Sequence, residues 1–251
     1  LATLDNLKSL RMRLSPAAIK DLAALKNLES LTLDSTALND DDVRGLTPLK
    51  NLRKLTLGSE EITDSGVKDL IRLKNLQSLT ISSIKITDAS MKDLTTLKNL
   101  RSLSLGGRIS DAGVKELALL GQLRSLSLGS SLVTDTGVKH LTELRELRQL
   151  VLGSHELTDK CIHHLKSLKE LRSLALSSGR LTDAAVAELA SLKKLQSLAL
   201  GTRLLTDAAV KDLVRLEELQ YLELISPAFS HQGTNDLRRA MKRCVYRAGG
   251  D

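Results

Sequence analysis

A block of about 24 residues recurs along the whole chain, and this period constrains the fold more than any other feature. A typical block opens with Leu-x-x-Leu-x-Leu, passes through a short Gly/Ser turn and a Thr-Asp pair, and ends in a short apolar helical pattern. The blocks open at Leu7, Leu28, Leu52, Leu76, Leu100, Leu123, Leu147, Leu171, Leu195 and Leu219. A period of this length is typical of stacked supersecondary units. It predicts one elongated domain.

Residues 52–75 show how one block folds. Leu55 and Leu57 flank a polar residue, as in a strand with one buried face. Val67 and Leu70 then lie on one stripe of a short helix of roughly two to three turns. Strand–helix units in series give a parallel sheet with right-handed crossovers. Because strands are spaced at ~4.8 Å and helices at ~10 Å, the stack must bend. We predict a right-handed α/β solenoid, a horseshoe with the sheet on its concave face and short helices on its convex face.

Two polar columns separate strand from helix. The first suits a helix N-cap, where a side-chain oxygen accepts a bond from a free backbone N–H. Its members are Ser15, Asn39, Thr63, Thr87, Ser110, Thr134, Thr158, Thr182, Thr206 and Ser230. The second column, one residue later, holds Pro16, Asp40, Asp64, Asp88, Asp111, Asp135, Asp159, Asp183, Asp207 and His231. We interpret its carboxylates as complements to the dipole of the helix on which each lies.

These motifs carry a family resemblance. An apolar residue stands five places after the last strand leucine (Leu38 after Leu33, Ile62 after Leu57), and the whole block resembles the leucine-rich repeat family. The segments LTDAAVKDL and ITDSGVKDL look like bacterial, planctomycete-type repeats, with a helical outer face similar to the ribonuclease-inhibitor-like and F-box-associated subfamilies. We predict a solenoid of about ten repeats over residues 1–225, the first truncated, and a C-terminal cap over 226–251. The cap is expected to hold a helix from Asn235 to Lys242 and a short final edge around Cys244-Val245-Tyr246.

One position departs from the family pattern. The family usually places Asn, Cys or Thr three residues after the last strand leucine, whereas this chain has unrelated residues there. They are Thr36, Glu60, Ile84, Ser131, His155, Gly179, Arg203 and Pro227. One residue earlier stands a hydroxyl column: Ser35, Ser59, Ser83, Ser130, Ser154, Ser178, Thr202 and Ser226. Because buried backbone groups need partners, our hypothesis is that these hydroxyls bond the turn backbone.

The strand residues that alternate with buried leucines form the concave face. In the middle they are small and nearly uncharged, whereas binding hot spots are usually Trp, Tyr or Arg. The two ends differ from the middle, so we predict binding there. The candidate residues are Arg11, Arg13, Asp34 and Lys54 at the N-terminal end and Tyr221, Glu223 and Ile225 at the C-terminal end.

A basic column follows the edge at which the chain passes from helix to strand. Its candidate binding residues are Arg53, Arg101, Arg124, Arg148 and Arg172. The opposite edge carries the aspartate column, so we expect one basic and one acidic rim. Complementarity to helix dipoles explains much of this pattern. An anionic partner along the basic rim is the functional alternative, although the lack of interleaved aromatic residues argues against single-stranded nucleic acid.

Little in the chain suggests chemistry. His140 and His164 share a column in consecutive blocks, ~10 Å apart, which is too far for both to ligate one zinc ion. Cys161 stands among small residues, and we interpret it as a packed side chain. No nucleophile, base and orienting group recur together. We therefore predict no enzymatic activity, no cofactor and no metal site.

Composition indicates the surface charge, the state of the cysteines and the cellular location. The 37 basic and 30 acidic residues leave a net charge of +7, which fits a solvated surface of mixed charge. Cys161 and Cys244 lie more than three blocks apart and are predicted to be unpaired thiols, which favours a cytoplasmic location. No apolar stretch approaches the ~18 residues of a membrane span. Because residues 1–7 align with residues 22–28, the chain is expected to start in mid-repeat.

The sequence thus predicts a bacterial, monomeric scaffold that binds an unidentified protein partner through the ends of the concave face or the rims. Two alternatives stay open: a sensing or regulatory module of a larger enzyme, such as a kinase or ligase, and an anionic-ligand or nucleic-acid binder that uses the basic rim.

One block, 100–122, has 23 residues, and its missing residue at 106–109 is expected to draw in one loop.

Overall fold

One parallel sheet runs the length of the molecule. The computed structural model describes residues 6–13, 19–129 and 132–248. In these ranges the sheet has eleven strands, ordered as in the chain. The strands are β1 (Ser9–Met12), β2 (Ser30–Asp34), β3 (Lys54–Gly58), β4 (Ser78–Ile81), β5 (Ser102–Leu105), β6 (Ser125–Leu128), β7 (Gln149–Gly153), β8 (Ser173–Ser177), β9 (Ser197–Gly201), β10 (Tyr221–Ile225) and β11 (Val245–Ala248).

A short helix follows each of the first ten strands. The helices are α1 (Ile19–Leu22), α2 (Asp40–Gly45), α3 (Asp64–Leu70), α4 (Met91–Leu94), α5 (Asp111–Leu117), α6 (Asp135–His140), α7 (Lys160–Leu165), α8 (Asp183–Leu189), α9 (Val210–Leu213) and α10 (His231–Ala240). Helices α1–α9 have four to seven residues, fewer than the two to three turns predicted. The apolar stripe continues beyond the helix because a turn carries it, as where Leu73 N–H donates to Leu70 C=O at 2.9 Å.

The leucines align in register and form a single core. Leu55 pairs with Leu31 on one side and with Leu79 on the other, and the same match recurs along the sheet. These leucines are at most 1% exposed, and one continuous cluster of buried side chains joins sheet and helices. The predicted α/β solenoid is confirmed. Each repeat buries its apolar face against its neighbours, as the period indicated.

The polar columns join neighbouring repeats. Thr63 caps α3 as predicted, since its Oγ1 accepts from Ser65 N–H at 3.2 Å. However, the Asp40 carboxylate of α2 accepts two bonds from the following repeat, from Thr63 N–H at 2.8 Å and Thr63 Oγ1–H at 2.6 Å. We call this set the Asp–Thr ladder. It continues through Asp64–Thr87, Asp88–Ser110, Asp111–Thr134, Asp135–Thr158, Asp159–Thr182, Asp183–Thr206 and Asp207–Ser230.

This ladder corrects the interpretation of the aspartate column. The carboxylates do not serve only the helix on which they lie, because each is hydrogen-bonded to the cap residue of the next helix. Spacing along one helix cannot reveal groups that become neighbours only when repeats stack. Ser15 and Pro16, the first members of the two columns, lie outside the described residues.

The hydroxyl column bonds the loop backbone, as hypothesised. Ser83 is 1% exposed; its Oγ donates to Ile62 C=O of the preceding repeat at 2.6 Å and accepts from Lys85 N–H at 3.2 Å. Donation to the preceding repeat recurs at Ser59, Ser178, Thr202 and Ser226. At Ser59, Ser83, Ser178 and Thr202 the hydroxyl also accepts from the N–H two residues later, so it relays a hydrogen bond between two backbone groups. Ser130 and Ser131 lie outside the described residues.

The 23-residue block replaces this relay with a direct bond. Gly107 occupies the hydroxyl position, and Arg108 N–H donates straight to Ile86 C=O at 2.8 Å. A Cβ at Gly107 would overlap that carbonyl oxygen and lie 2.9 Å from Ile86 Cβ. The loop is drawn in as expected, because one residue and one hydroxyl are removed together.

The C-terminal segment continues the sheet. Helix α10 begins four residues before the predicted position 235, because Ser230 caps it in the same way as the earlier column members. Strand β11 then pairs in parallel with β10. Leu237 is buried, and Tyr246 donates its hydroxyl to Thr234 Oγ1 at 3.2 Å, which ties the strand to the helix.

Candidate binding surface

The outward face of the sheet is open along its length. Side chains that alternate with the buried leucines are partly or fully exposed on strand after strand. In the middle they include Ser104, Ser127 and Ala175. In the parallel register Ser104 lies beside Ser127, and Ala175 lies beside Val151. At its centre this concave face carries small, nearly uncharged side chains, as the sequence predicted, and Val151 adds an exposed apolar one.

The predicted N-terminal residues form one pair and two free cations. Arg11 Nη2 lies 3.3 Å from Asp34 Oδ2 across the β1–β2 pairing. Arg13 and Lys54 are exposed, and within the described residues neither has a carboxylate within 4.0 Å. The Arg11–Asp34 pair is solvent-exposed, so it contributes about 0–1 kcal/mol to stability.

Arg53 is separated from the rest of the predicted basic rim. Its Nε lies 3.7 Å from Glu29 Oε2, and it lines a cavity of about 440 Å³ with Lys8, Glu29, Asn51, Asn75, Gln77 and Asn99. Gln77 takes the place of an arginine in the next repeat. The rim is therefore interrupted, and Arg53 faces its own small acidic and amide neighbourhood.

The amides around Arg53 form a second ladder that the sequence reading missed. Asn51 Nδ2 donates to Lys26 C=O at 2.9 Å, and Asn75 Nδ2 does the same to Lys50 C=O at 2.9 Å. Asn99 continues the series. The asparagines recur at 24-residue spacing, each directly after a lysine (Lys50, Lys74 and Lys98). This recurrence in the sequence could have predicted the ladder.

The remaining four rim arginines stand side by side on consecutive repeats. Arg124 N–H donates to Arg101 C=O at 2.7 Å, Arg148 N–H to Arg124 C=O at 2.8 Å, and Arg172 N–H to Arg148 C=O at 2.9 Å. We call Arg101, Arg124, Arg148 and Arg172 the arginine row. Hydrogen-bonded backbones of this kind lie ~4.8 Å apart, so four guanidinium groups are mounted at that interval.

The arginine row lines a groove that reaches the C-terminal end. The groove has a volume of about 720 Å³, and its other lining residues are Ser102, Ser125, Gln149, Ser173, Gln196, Ser197, Gln220 and Tyr221. The structure thus joins two sets of residues that the sequence analysis treated separately, the basic rim and Tyr221. The tyrosine hydroxyl donates to Glu223 Oε2 at 3.3 Å, and Arg247 Nε lies 3.8 Å from Glu223 Oε1.

Few carboxylates neutralise the arginine row. Arg124 Nε lies 3.2 Å from Glu146 Oε2. Arg101, Arg148 and Arg172 have no carboxylate within 4.0 Å in the described parts of the chain.

The nearest additional acid is already occupied. The Lys194 ammonium donates to Glu170 at 2.6 Å, and this bond is the main reason why the pKa of Glu170 is lowered. Attraction to Arg172 and Arg148 adds to the effect. The groove therefore keeps a surplus of positive charge.

Ile225 lies away from this groove. It is 54% exposed and lines a cavity of about 600 Å³ on the opposite edge, beside His155, Arg180, Arg203 and Pro227. Its predicted partners Tyr221 and Glu223 lie on the same strand, yet the structure does not gather all three into one site.

The opposite edge is of mixed charge, which corrects the expected acidic rim. Its aspartates are hydrogen-bonded in the Asp–Thr ladder. Exposed pairs such as Arg180–Glu156, at 3.1 Å, and Lys85–Glu61 occupy the surface beside them. The ladder carboxylates keep their charge, and the exposed cations beside them, such as Arg180 and Lys85, make the edge mixed rather than acidic.

Cys161 and the histidines have structural environments. Cys161 is fully buried in α7, and burial together with Asp135 and Asp159 raises the pKa of its thiol to about 12. The thiolate is the reactive form of cysteine, so this thiol is unreactive.

Within the part of the chain that the structure describes, the histidines do not gather at a site. Glu188 lies 3.0 Å from Lys166 Nζ and 3.7 Å from His163. Over the described ranges no three His, Cys, Asp or Glu side chains group as metal ligands.

Comparison with known proteins places this architecture. No protein-family model and no curated protein matches the sequence. Similar solved structures include an internalin (inlF) from Listeria monocytogenes, with a TM-score of 0.67 and 22% identity over 93% of this chain and 70% of that chain. An internalin C2 (inlC2) from the same species gives 0.53 and 28% over 71% and 74%. TLR13 in complex with ssRNA13 gives 0.56 and 19% over 92% and 38%.

These neighbours are leucine-rich repeat proteins, and the chain has their fold. Eleven in-register parallel strands, backed by short helices and built from a leucine-based repeat, define a leucine-rich-repeat solenoid. None of the helices in the described ranges combines the length and apolarity needed to cross a lipid bilayer.

Proposed function

We propose that this chain is a non-catalytic interaction scaffold of bacterial origin that binds a protein partner on its concave face and rims. The observation that carries the proposal is the uncovered sheet. The leucines of strands β2–β10 are buried in the core, while the alternate side chains of the sheet remain available on one continuous surface. A rigid surface of this kind positions contact residues without a large loss of conformational entropy on binding.

The distribution of chemistry supports a binding role. Charged and aromatic residues occur at the two ends and along one rim, and the buried thiol of Cys161 is held in its unreactive form. Arg11, Arg13, Asp34 and Lys54 form the proposed N-terminal contact region, and Tyr221, Glu223 and Ile225 the C-terminal one. Among the structural neighbours, TLR13 is seen in complex with ssRNA13. Recognition by a leucine-rich-repeat solenoid is thus in keeping with the fold.

Site-specific photo-crosslinking tests this proposal. A benzophenone amino acid is placed on the concave face beside the proposed contact regions, at Thr32, Thr56 or Ala199, and for comparison on the convex helices at Lys68 or Lys115. Lysate of the source organism is then irradiated with each variant. We expect adducts of discrete mass from concave positions and none of those masses from convex positions. Equal adducts from both faces, or none from all three concave positions, would contradict concave-face binding.

A further inference from the structure

We infer that the arginine row binds an acidic α-helical segment of the protein partner, laid along the groove from Arg101 towards Tyr221. This inference rests on the proposed scaffold function and specifies the chemistry of one contact. It depends on the charge balance, the spacing and the floor of the groove.

The charge balance leaves the arginine row short of anions. Like charges on adjacent strands repel one another. Only Arg124 has a carboxylate partner within 4.0 Å in the described structure. Arg53 and Arg11, on the same sheet, also lie against Glu29 and Asp34. The arginines of this surface therefore pair with carboxylates wherever one is present, and a partner can supply the missing ones.

The spacing of the row fits a helix better than an extended chain. The guanidinium groups are mounted at ~4.8 Å intervals. Carboxylates at positions i, i+4, i+7 and i+11 of an α-helix rise ~5.5 Å from one to the next on average. Alternate residues of an extended strand are ~6.7 Å apart. Over four contacts the mismatch is ~2 Å for the helix and ~6 Å for the strand, and flexible arginine side chains absorb the smaller mismatch.

The floor of the groove lets a helix approach. Ser102, Ser125, Ser173 and Ser197 line it beside the arginines, and Gln149, Gln196 and Gln220 add neutral donors and acceptors. From β5 to β10 the groove crosses six strands, a span of ~24 Å, which corresponds to a helix of ~16 residues. A segment of this length engages the whole row and ends at Tyr221.

The same features favour a protein over RNA. Single-stranded nucleic acid is usually held by successive aromatic side chains on which bases stack. Tyr221 is the sole aromatic residue among those lining this groove. Glu146 and Glu170 also lie within the basic edge, and they would repel a continuous phosphate backbone. Discrete carboxylates on one face of a helix can instead fall between them.

Binding of designed peptides to the full chain tests the inference. The first probe is a fluorescent helical peptide of about 16 residues with glutamates at i, i+4, i+7 and i+11. The second has the same composition with its glutamates spread around the helix, and the third is a mixed-sequence single-stranded RNA. Fluorescence anisotropy is measured at low and at physiological ionic strength.

Two charge-matched variants identify the surface. The row variant carries Arg101→Gln, Arg124→Gln, Arg148→Gln and Arg172→Gln. The control variant removes four exposed lysines from consecutive helices on the convex side, by Lys68→Gln, Lys92→Gln, Lys115→Gln and Lys139→Gln. Far-UV circular dichroism and thermal unfolding check that both variants retain the fold.

The expected result is specific to the row and to the stripe. Loss of four exposed ion pairs should weaken binding of the striped peptide to the row variant by about tenfold or more. The control should change binding less than about threefold, because its charges lie on the other face. The striped peptide should bind at least about tenfold more tightly than its isomer.

Other outcomes overturn the inference. Equal losses in the two variants would mean attraction by net charge alone. Equal binding of the two peptides would show that the arrangement of glutamates on one helix face does not matter. Tighter binding of RNA that depends on the row would assign the row to nucleic acid. If the striped peptide fails to bind while concave-face crosslinking still gives discrete adducts, the acidic-helix inference fails and the scaffold proposal stands.

Discussion

At each threonine of the Asp–Thr ladder, one hydroxyl both caps a helix and bonds to the preceding repeat. Thr134 Oγ1 accepts from Thr136 N–H at 3.1 Å, which caps α6, and donates to Asp111 Oδ2 at 2.7 Å. The other carboxylate oxygen accepts from Thr134 N–H at 2.8 Å. Helix capping and the stacking of repeats are therefore linked through one side chain, which explains why Thr-Asp is kept so regularly.

Replacing Asp111 with alanine should destabilise the solenoid. The change removes two hydrogen bonds to a carboxylate and leaves the Thr134 N–H without its acceptor, so we expect a loss of about 1–3 kcal/mol. Urea unfolding followed by circular dichroism measures it. The matched control is Asp41→Ala, since that side chain is 85% exposed and pairs only with Arg44. The control should cost no more than about 1 kcal/mol, and a similar cost for both changes would refute the ladder's role.

The buried thiol of Cys161 should be protected from alkylation. Its raised pKa, about 12, leaves almost no thiolate at neutral pH, and its side chain has no solvent exposure. Cys244 is only partly buried, although burial also raises the pKa of its thiol. With iodoacetamide and mass spectrometry we expect labelling at Cys244 in the native protein and at Cys161 only after addition of urea. Equal native rates would show that α7 opens readily.

At the scale of one element, the loop after a strand bonds to the backbone of the preceding repeat in two ways. A 24-residue repeat can bridge two backbone groups through a hydroxyl, as at Ser83, and the 23-residue repeat joins them directly. Leu132 N–H makes the same direct bond to Ile109 C=O at 2.8 Å in the block that follows. At Gly107 this close approach leaves no room for a Cβ, because the Ile86 carbonyl occupies that space. Loss of one residue is thus compatible with an unbroken sheet.

Gly107→Ala should therefore destabilise the protein. The added methyl group must displace backbone rather than a flexible side chain, and such overpacking costs about 1–3 kcal/mol. Gly179→Ala serves as the control, because its Cβ would meet nothing within 4 Å. We expect the control to change stability by less than about 0.5 kcal/mol. Thermal unfolding of the two variants decides the matter, and a stable Gly107→Ala protein would exclude the close approach.

At the scale of the molecule, the stack has a distinct C-terminal end. Leu237 of α10 joins the continuous core, and the Asp207–Ser230 bonds connect the start of α10 to the turn that precedes α9. We propose that residues 226–251 cap the solenoid over 1–225. The chain has two tyrosines and no tryptophan, and both tyrosines lie at this end, so tyrosine fluorescence reports the cap while circular dichroism reports the whole.

Acid should loosen this end in a manner that depends on Asp207. Hydrogen bonds from the Ser230 hydroxyl and backbone N–H hold the pKa of Asp207 below its ordinary value. A carboxyl group with a lowered folded pKa stabilises the fold above its unfolded pKa, and this contribution disappears as pH falls through the folded value. We expect tyrosine fluorescence to change on acidification below about pH 4, before the circular dichroism of the solenoid changes.

The Asp207→Asn variant isolates the group responsible. It should weaken the cap near neutral pH and remove the part of the acid response that belongs to Asp207, so that the two proteins converge at low pH. Persistent divergence below pH 3 would assign the acid response to other groups.

Much of the fold followed from periodicity. Leucines at fixed intervals in a strand pattern determine which residues are buried, and the N-cap residues mark where helices begin; both predictions were confirmed. The helix lengths, the partner of each aspartate and the mixed charge of the aspartate edge were not foreseen. These depend on distances between repeats, about 23 residues apart in the chain, that no pattern within one repeat contains.

The candidate site divides in the same way. The sequence by itself determined that the arginines form a column, because a repeat places equivalent residues one above another. Only the tertiary structure decided that Arg53 lies against Glu29, and that the other four arginines share one groove with Tyr221. Periodicity determines which residues are equivalent, whereas side-chain contacts and charge balance arise only once neighbouring repeats stack.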